Sequence, residues 1–172
     1  MKDMMLKSLV TPAVTIPAPK PDDAALAELA RAVNERSRQL LGHSLAIREV
    51  DAGSCNGCEL EIHAINNAIY DVERFGIKFT ASPKHADVLL VTGPVTENMK
   101  FALQRAYDVT PDPKWVVAVG DCACTGGVFA GSYACAGSVK DIVPVDLHIK
   151  GCPPTPLDLL RGLLALMETV SR

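Results

Sequence analysis

Two uninterrupted apolar runs, Val88-Leu89-Leu90-Val91-Thr92 and Trp115-Val116-Val117-Ala118-Val119, constrain the fold of this chain more than any other feature. A strand with one wet face alternates apolar and polar residues. A run that is apolar at nearly every position needs cover on both faces, as in a parallel sheet layered with helices. Helical spacing occurs around both runs. Leu26, Leu29, Ala30, Val33, Leu40 and Leu41 mark a helix that begins near Asp22 and ends at Gly42. Leu60, Ala64, Ile65, Ala68, Ile69 and Val72 predict a second helix, closed by Gly76, and Met99, Ala102, Leu103 and Ala106 a third, starting near Thr96. Thr155 caps a fourth with Pro156 at its first position.

Shorter strands are expected at Leu45–Val50, Ile77–Thr80 and Val143–Ile149. The last of these is an edge strand, because Pro144 has no N–H for a ladder. The segment from Thr125 to Ser138, rich in glycine, alanine and serine, reads as loop. Strands alternating with helices predict an α/β, flavodoxin-like, mostly parallel sheet with helices on both faces and right-handed crossovers. Residues 1–21, with four prolines between Thr11 and Pro21, form an extended N-terminal arm; 22–43 an N-terminal helix; and 44–172 the flavodoxin-like domain.

Ligands of such sheets sit at the carboxyl ends of the strands, where the cysteines concentrate. Cys55 and Cys58 follow the first strand in Gly53-Ser54-Cys55-Asn56-Gly57-Cys58-Glu59-Leu60-Glu61; Cys122 follows Val119, and Cys152 follows Ile149. Neighbouring glycines let the backbone approach a bound group, and helix N-termini after Cys58 and Cys152 favour a negative one. Cys55, Cys58, Cys122 and Cys152 are therefore the expected ligands of one 4Fe-4S cluster, which makes the chain an electron carrier. Zinc also accepts four thiolates, usually from two closely spaced pairs, and Cys152 stands alone. A thioredoxin-like dithiol at Cys55 and Cys58 leaves the Cys122 and Cys152 loops without a role. Cys124 and Cys135 read as structural thiols. Glu59, Glu61 and His63 either tune the site or relay protons, or else serve as surface groups at a helix start, the plainer role.

A net charge of −3 over 172 residues gives no basic field for nucleic acid. The apolar runs fall well short of the roughly 20 residues that cross a bilayer, and Met1–Val10 lacks the apolar segment of a signal peptide. A cytosolic location is expected, where cysteines serve metals more often than disulfides.

Five segments together carry a family resemblance: Ser54-Cys55-Asn56-Gly57-Cys58-Glu59-Leu60-Glu61, Phe79–Asp87, Val91-Thr92-Gly93-Pro94-Val95-Thr96, Gly120-Asp121-Cys122 with Gly126-Gly127, and Gly151-Cys152-Pro153-Pro154. Over about residues 45–170 the chain resembles the iron–sulfur small subunit of membrane-bound, energy-converting nickel–iron hydrogenases of the formate hydrogenlyase and hydrogenase-4 type, which is homologous to the 20 kDa subunit of respiratory complex I. Complex I subunits look like adjacent cysteines at the first motif, whereas Asn56-Gly57 separates this pair, the hydrogenase form. The resemblance implies one 4Fe-4S cluster beside a nickel–iron site on a large subunit, a ferredoxin-like iron–sulfur subunit as electron partner, membrane subunits, and a peripheral position on the cytoplasmic side of the inner membrane. An equivalent subunit of a complex I-like quinone oxidoreductase is the nearest alternative, and a zinc-stabilised binding module the alternative of another class.

Overall fold

A computed structural model describes residues 23–170, so the expected arm over 1–21 lies outside the described residues. Five strands form one wholly parallel sheet: β1 (Ala46–Asp51), β2 (Lys78–Phe79), β3 (Val88–Thr92), β5 (Trp115–Val119) and β7 (Leu147–Ile149), in the order β2-β1-β3-β5-β7. Counted within the sheet this is the flavodoxin order, whose direction reverses between β1 and β3. A separate two-stranded antiparallel ribbon joins β4 (Val95–Thr96) to β6 (Cys135–Gly137).

The double apolar runs do what their composition requires. Val88 and Leu90 of β3, with Val117 and Val119 of β5, face a core built with α1 (Asp23–Leu41), α2 (Gly57–Ile65) and α5 (Pro156–Val170). Leu89, Val91, Val116 and Ala118 face the opposite core, which includes Leu103 of α3 (Glu97–Val109) and Ala123 of α4 (Gly120–Thr125). Helix α1 belongs to the first core through Leu26, Ala30 and Val33, and Gly42, at φ +78°, turns the chain out of it.

Three local expectations need correction. The helix expected from Leu60 to Val72 stops at Ile65, because Asn67 Oδ1 accepts the N–H groups of Ile69 and Tyr70 at 2.8 and 3.0 Å and so captures donors that a continuing helix needs. Ile69 is 64% exposed, while the buried Val72 starts a 3-10 turn that Gly76 closes. The strand expected over Val143–Ile149 contains only Leu147–Ile149, although it is the sheet edge as read. Val143 instead donates its N–H to Val139 O just after a 3-10 turn over Val139–Asp141, and Asp146 Oδ2 takes the Val116 N–H at 2.8 Å. The small-residue loop from Thr125 to Ser138 contains β6, which the side-chain pattern could not announce.

At the start of α5, Thr155 and Asp158 cap each other: Asp158 N–H donates to Thr155 Oγ1 at 3.3 Å, and Thr155 Oγ1 donates to Asp158 Oδ2 at 2.6 Å. Thr155→Ala is expected to lower stability to urea by about 1 kcal/mol. The hydrogen bonds from Thr155 hold the Asp158 carboxyl below the ordinary carboxylate range. Its share of the cap is therefore whole above that range and is lost as pH falls through the depressed folded value, a small effect for so exposed a group.

Candidate metal centre

The chain leaves β1 at Asp51 and turns at once, because Asp51 Oδ1 accepts the N–H groups of both Gly53 and Ser54 at 2.8 Å. Ser54 Oγ then accepts the Asn56 N–H at 3.1 Å, and Asn56 adopts the left-handed conformation, φ 70°. This turn sets Cys55 outside α2 and Cys58 in its first turn.

Cys122 comes off the end of β5 on the short α4, and Gly126 and Gly127, both at positive φ, fold the following chain back over it. A Cβ on Gly127 would lie 2.7 Å from the Cys122 sulfur, and one on Gly120 would lie 2.6 Å from the Cys58 sulfur. Cys152 follows β7 and Gly151.

The four thiols that the sequence singled out meet at one place. Cys55, Cys58, Cys122 and Cys152 line a single cavity of about 120 Å³ together with Ser54, Gly57, Gly93, Asp121, Gly151 and Pro153. Its walls come from the carboxyl ends of β1, β3, β5 and β7 and span the switch point of the sheet. The thiols surround a space, and among the described residues no group of three or more His, Cys, Asp or Glu side chains is arranged to hold one metal ion. Cys55 and Cys152 are exposed at the mouth; Cys58 and Cys122 are half-buried.

Crowding marks the electrostatics. Burial pushes the Cys58 thiol up to about 12, helped by Glu59 and then by Cys55, Cys122 and Cys152. Burial raises Cys122 as well, and Cys152 adds to the rise, while the Val128 N–H aimed at its sulfur favours the thiolate. Without a cation Cys58 and Cys122 prefer to stay protonated; a bound metal group would draw those protons off and release them. The donor chemistry, four soft sulfurs around a glycine-lined space with a backbone N–H on one of them, fits an iron–sulfur group.

The remaining expectations divide. Cys124 is buried, with its sulfur 3.7 Å from Ala118 O and 3.8 Å from Ile149 O, and belongs to the core. Cys135 sits in β6, paired with Thr96, and does not line the cavity. Nor do Glu59, Glu61 and His63. The surface role read for Glu59 fails: it is only 5% exposed, and both carboxylate oxygens are buried without a hydrogen-bond partner. Sequence reasoning missed Asp51 and Asp121, which shape the thiol loops; an aspartate shortly before a glycine or a cysteine at a strand end was the available signal.

Comparison with known proteins identifies relatives of this chain. The chain is 42% identical over 156 residues to formate hydrogenlyase subunit 7 of Escherichia coli, covering 89% of this chain and 60% of that one, so it spans about three fifths of that relative's length. It is 43% identical over 134 residues to the probable membrane-bound hydrogenase subunit mbhJ of Pyrococcus furiosus, covering 78% of this chain and 80% of the other. Among solved structures, a chain of the membrane-bound sulfane sulfur reductase, an archaeal respiratory membrane complex, superimposes with a TM-score of 0.66 at 34% identity, covering 81% of this chain and 75% of that one. No helix among the described residues is long and apolar enough to cross a membrane. The family described as NADH ubiquinone oxidoreductase, 20 Kd subunit, matches residues 55–166, a span that begins at the first cavity thiol and runs past the last, and the chain belongs to that family.

Proposed function

We propose that Cys55, Cys58, Cys122 and Cys152 hold one 4Fe-4S cluster and that the chain is the electron-transfer small subunit of a membrane-bound hydrogenase complex. The observation that carries this reading is the convergence of four thiols, from three separate strand ends, on one cavity. When bound, the cluster supplies one-electron transfer. The chain's own residues do the rest: the four thiolates fix its place, the Val128 N–H stabilises charge on the Cys122 sulfur, and the half-buried Cys58 limits water's access from one side.

The electron's neighbour in this reading is a nickel–iron site on a separate large subunit, where two electrons and two protons make H₂ or the reverse occurs. A ferredoxin-like iron–sulfur subunit stands on the other side, membrane subunits complete the assembly, and the whole lies on the cytoplasmic side of the inner membrane. The names of the two curated relatives support the hydrogenase assignment. Val128 and Tyr133, 87% and 99% exposed on the loop after Cys122, support a subunit docked beside the cavity.

A second reading follows from the structural relative, a chain of a membrane-bound sulfane sulfur reductase: the same electron-transfer subunit serving an acceptor other than protons. The large subunit separates the two, since the hydrogenase reading requires cysteine pairs for nickel and iron there. For the cluster itself, the chain is purified anaerobically with the subunits that accompany it. About four irons and four acid-labile sulfides per chain and a reduced-state EPR signal are expected. Colourless protein carrying zinc and no iron would end this reading in favour of a zinc-stabilised module.

A further inference from the structure

The loops bearing Cys122 and Cys152 are far apart in the chain, yet one residue bolts them together. Asp121 donates its backbone N–H to Gly151 O at 2.9 Å, and its side-chain Oδ1 accepts the Gly151 N–H at 3.0 Å. Strand pairing between β5 and β7 runs only as far as Val119 opposite Ile149, so the ladder ends before either thiol. Beyond it, this reciprocal pair sets the distance between the two loops.

Gly151 has little freedom to compensate. It sits at φ +140°, and a Cβ there would lie 2.6 Å from Pro154 Cα. Its carbonyl also faces Gly120, whose added Cβ would lie 3.5 Å away. The backbone on both sides is therefore packed, and the carboxylate is the one adjustable member of the clasp.

We propose that Asp121 is a positioning residue for the metal centre, its carboxylate locking the Cys152 loop onto the Cys122 helix so that the two sulfurs are held as a pair. The inference rests on the ligand set proposed above. Asp121 touches no bound group through this bond; it acts through Gly151, as partners of ligand-bearing segments do. It also brings a negative charge next to Cys122, a second effect separable from the first.

The full chain with its accompanying subunits is compared as wild type, Asp121→Ala, Asp121→Asn and Asp121→Glu. Three quantities are followed: the rate of iron loss to a ferrous chelator, the reduction potential, and hydrogen exchange at the Gly151 amide. Asp121→Ala, which removes the acceptor, is expected to lose iron about 10- to 100-fold faster and to expose the Gly151 amide to exchange. Asp121→Asn keeps an oxygen in place and is expected to hold iron close to the wild-type rate. Its potential moves positive, since a negative charge has left the neighbourhood. Asp121→Glu keeps the charge but shifts the oxygen by one methylene, and is expected to lose iron faster than Asp121→Asn even if the alanine variant does not fold.

Wild-type iron retention in Asp121→Ala, or faster loss from Asp121→Asn than from Asp121→Glu, overturns the positioning role. Iron-free wild-type protein whose Gly151 amide is protected, and loses that protection in Asp121→Glu, upholds the clasp and removes the cluster reading instead. Iron-free wild-type protein with equal Gly151 exchange in all variants overturns both.

Discussion

Alanine at Cys122 is expected to leave the chain without a complete cluster, with iron falling from about four per chain to below about one after anaerobic purification. Its sulfur sits half-buried in the wall of the cavity and receives the Val128 N–H, and no other described thiol lines that wall beyond Cys55, Cys58 and Cys152. Cys124, two residues on, cannot step in, because its side chain lies between Ala118 O and Ile149 O in the core beneath the sheet ends. Loss of the same size is expected for Cys55→Ala, Cys58→Ala and Cys152→Ala. Cys124→Ala should behave in the opposite way, retaining iron while losing about 1–2 kcal/mol of stability to urea. Iron and sulfide assays on the five variants, beside denaturation curves, make the comparison. A full complement in any one of the four ligand variants would show that the ligand set is wrong.

Alanine at Gly93 is expected to cost about 2–5 kcal/mol of folding stability and to take the metal site with it. Gly93 sits at the end of β3 with φ +71°, at the switch point of the sheet, and a Cβ there would lie 2.7 Å from Ser54 N and 2.8 Å from Ser54 Cα. Backbone meets backbone, so no side-chain rotation relieves the contact. Ser54 has no room to retreat while its N–H is held at 2.8 Å by Asp51 Oδ1. Relief requires moving the loop that carries Cys55. Urea unfolding of the metal-free chain measures the first effect and iron content the second; wild-type values for both would mean that the Cys55 loop is softer than its hydrogen bonds imply.

Most of the architecture was legible because the strongest signal in the chain is also the one that sets the topology. Runs such as Val88–Thr92 have no reading as a half-wet strand, and their double burial is what the two cores record. The convergence of Cys55, Cys58, Cys122 and Cys152 followed from the same premise, since a parallel sheet brings all its carboxyl ends to one rim. What stayed hidden depends on side-chain hydrogen bonds that periodicity does not register. Asn67 ends a helix whose apolar spacing continues past it, and Asp146 binds Val116 where alternation suggested more strand. Glu59 shows the limit most sharply: charge at a helix start argues for the surface, yet its position on α2 turns it inward, where its oxygens have no partner.

β7 is an outermost strand of the sheet and, among the described residues, the last in sequence, so Cys152 joins the rim from a segment that follows the other three cavity thiols. A fragment ending before Leu147 would present three sulfurs and lack the surface against which Asp121 closes. On the proposed ligand set such a fragment would lack one of its four sulfurs, so a complete 4Fe-4S group could assemble only on a chain that has paired β7 with β5.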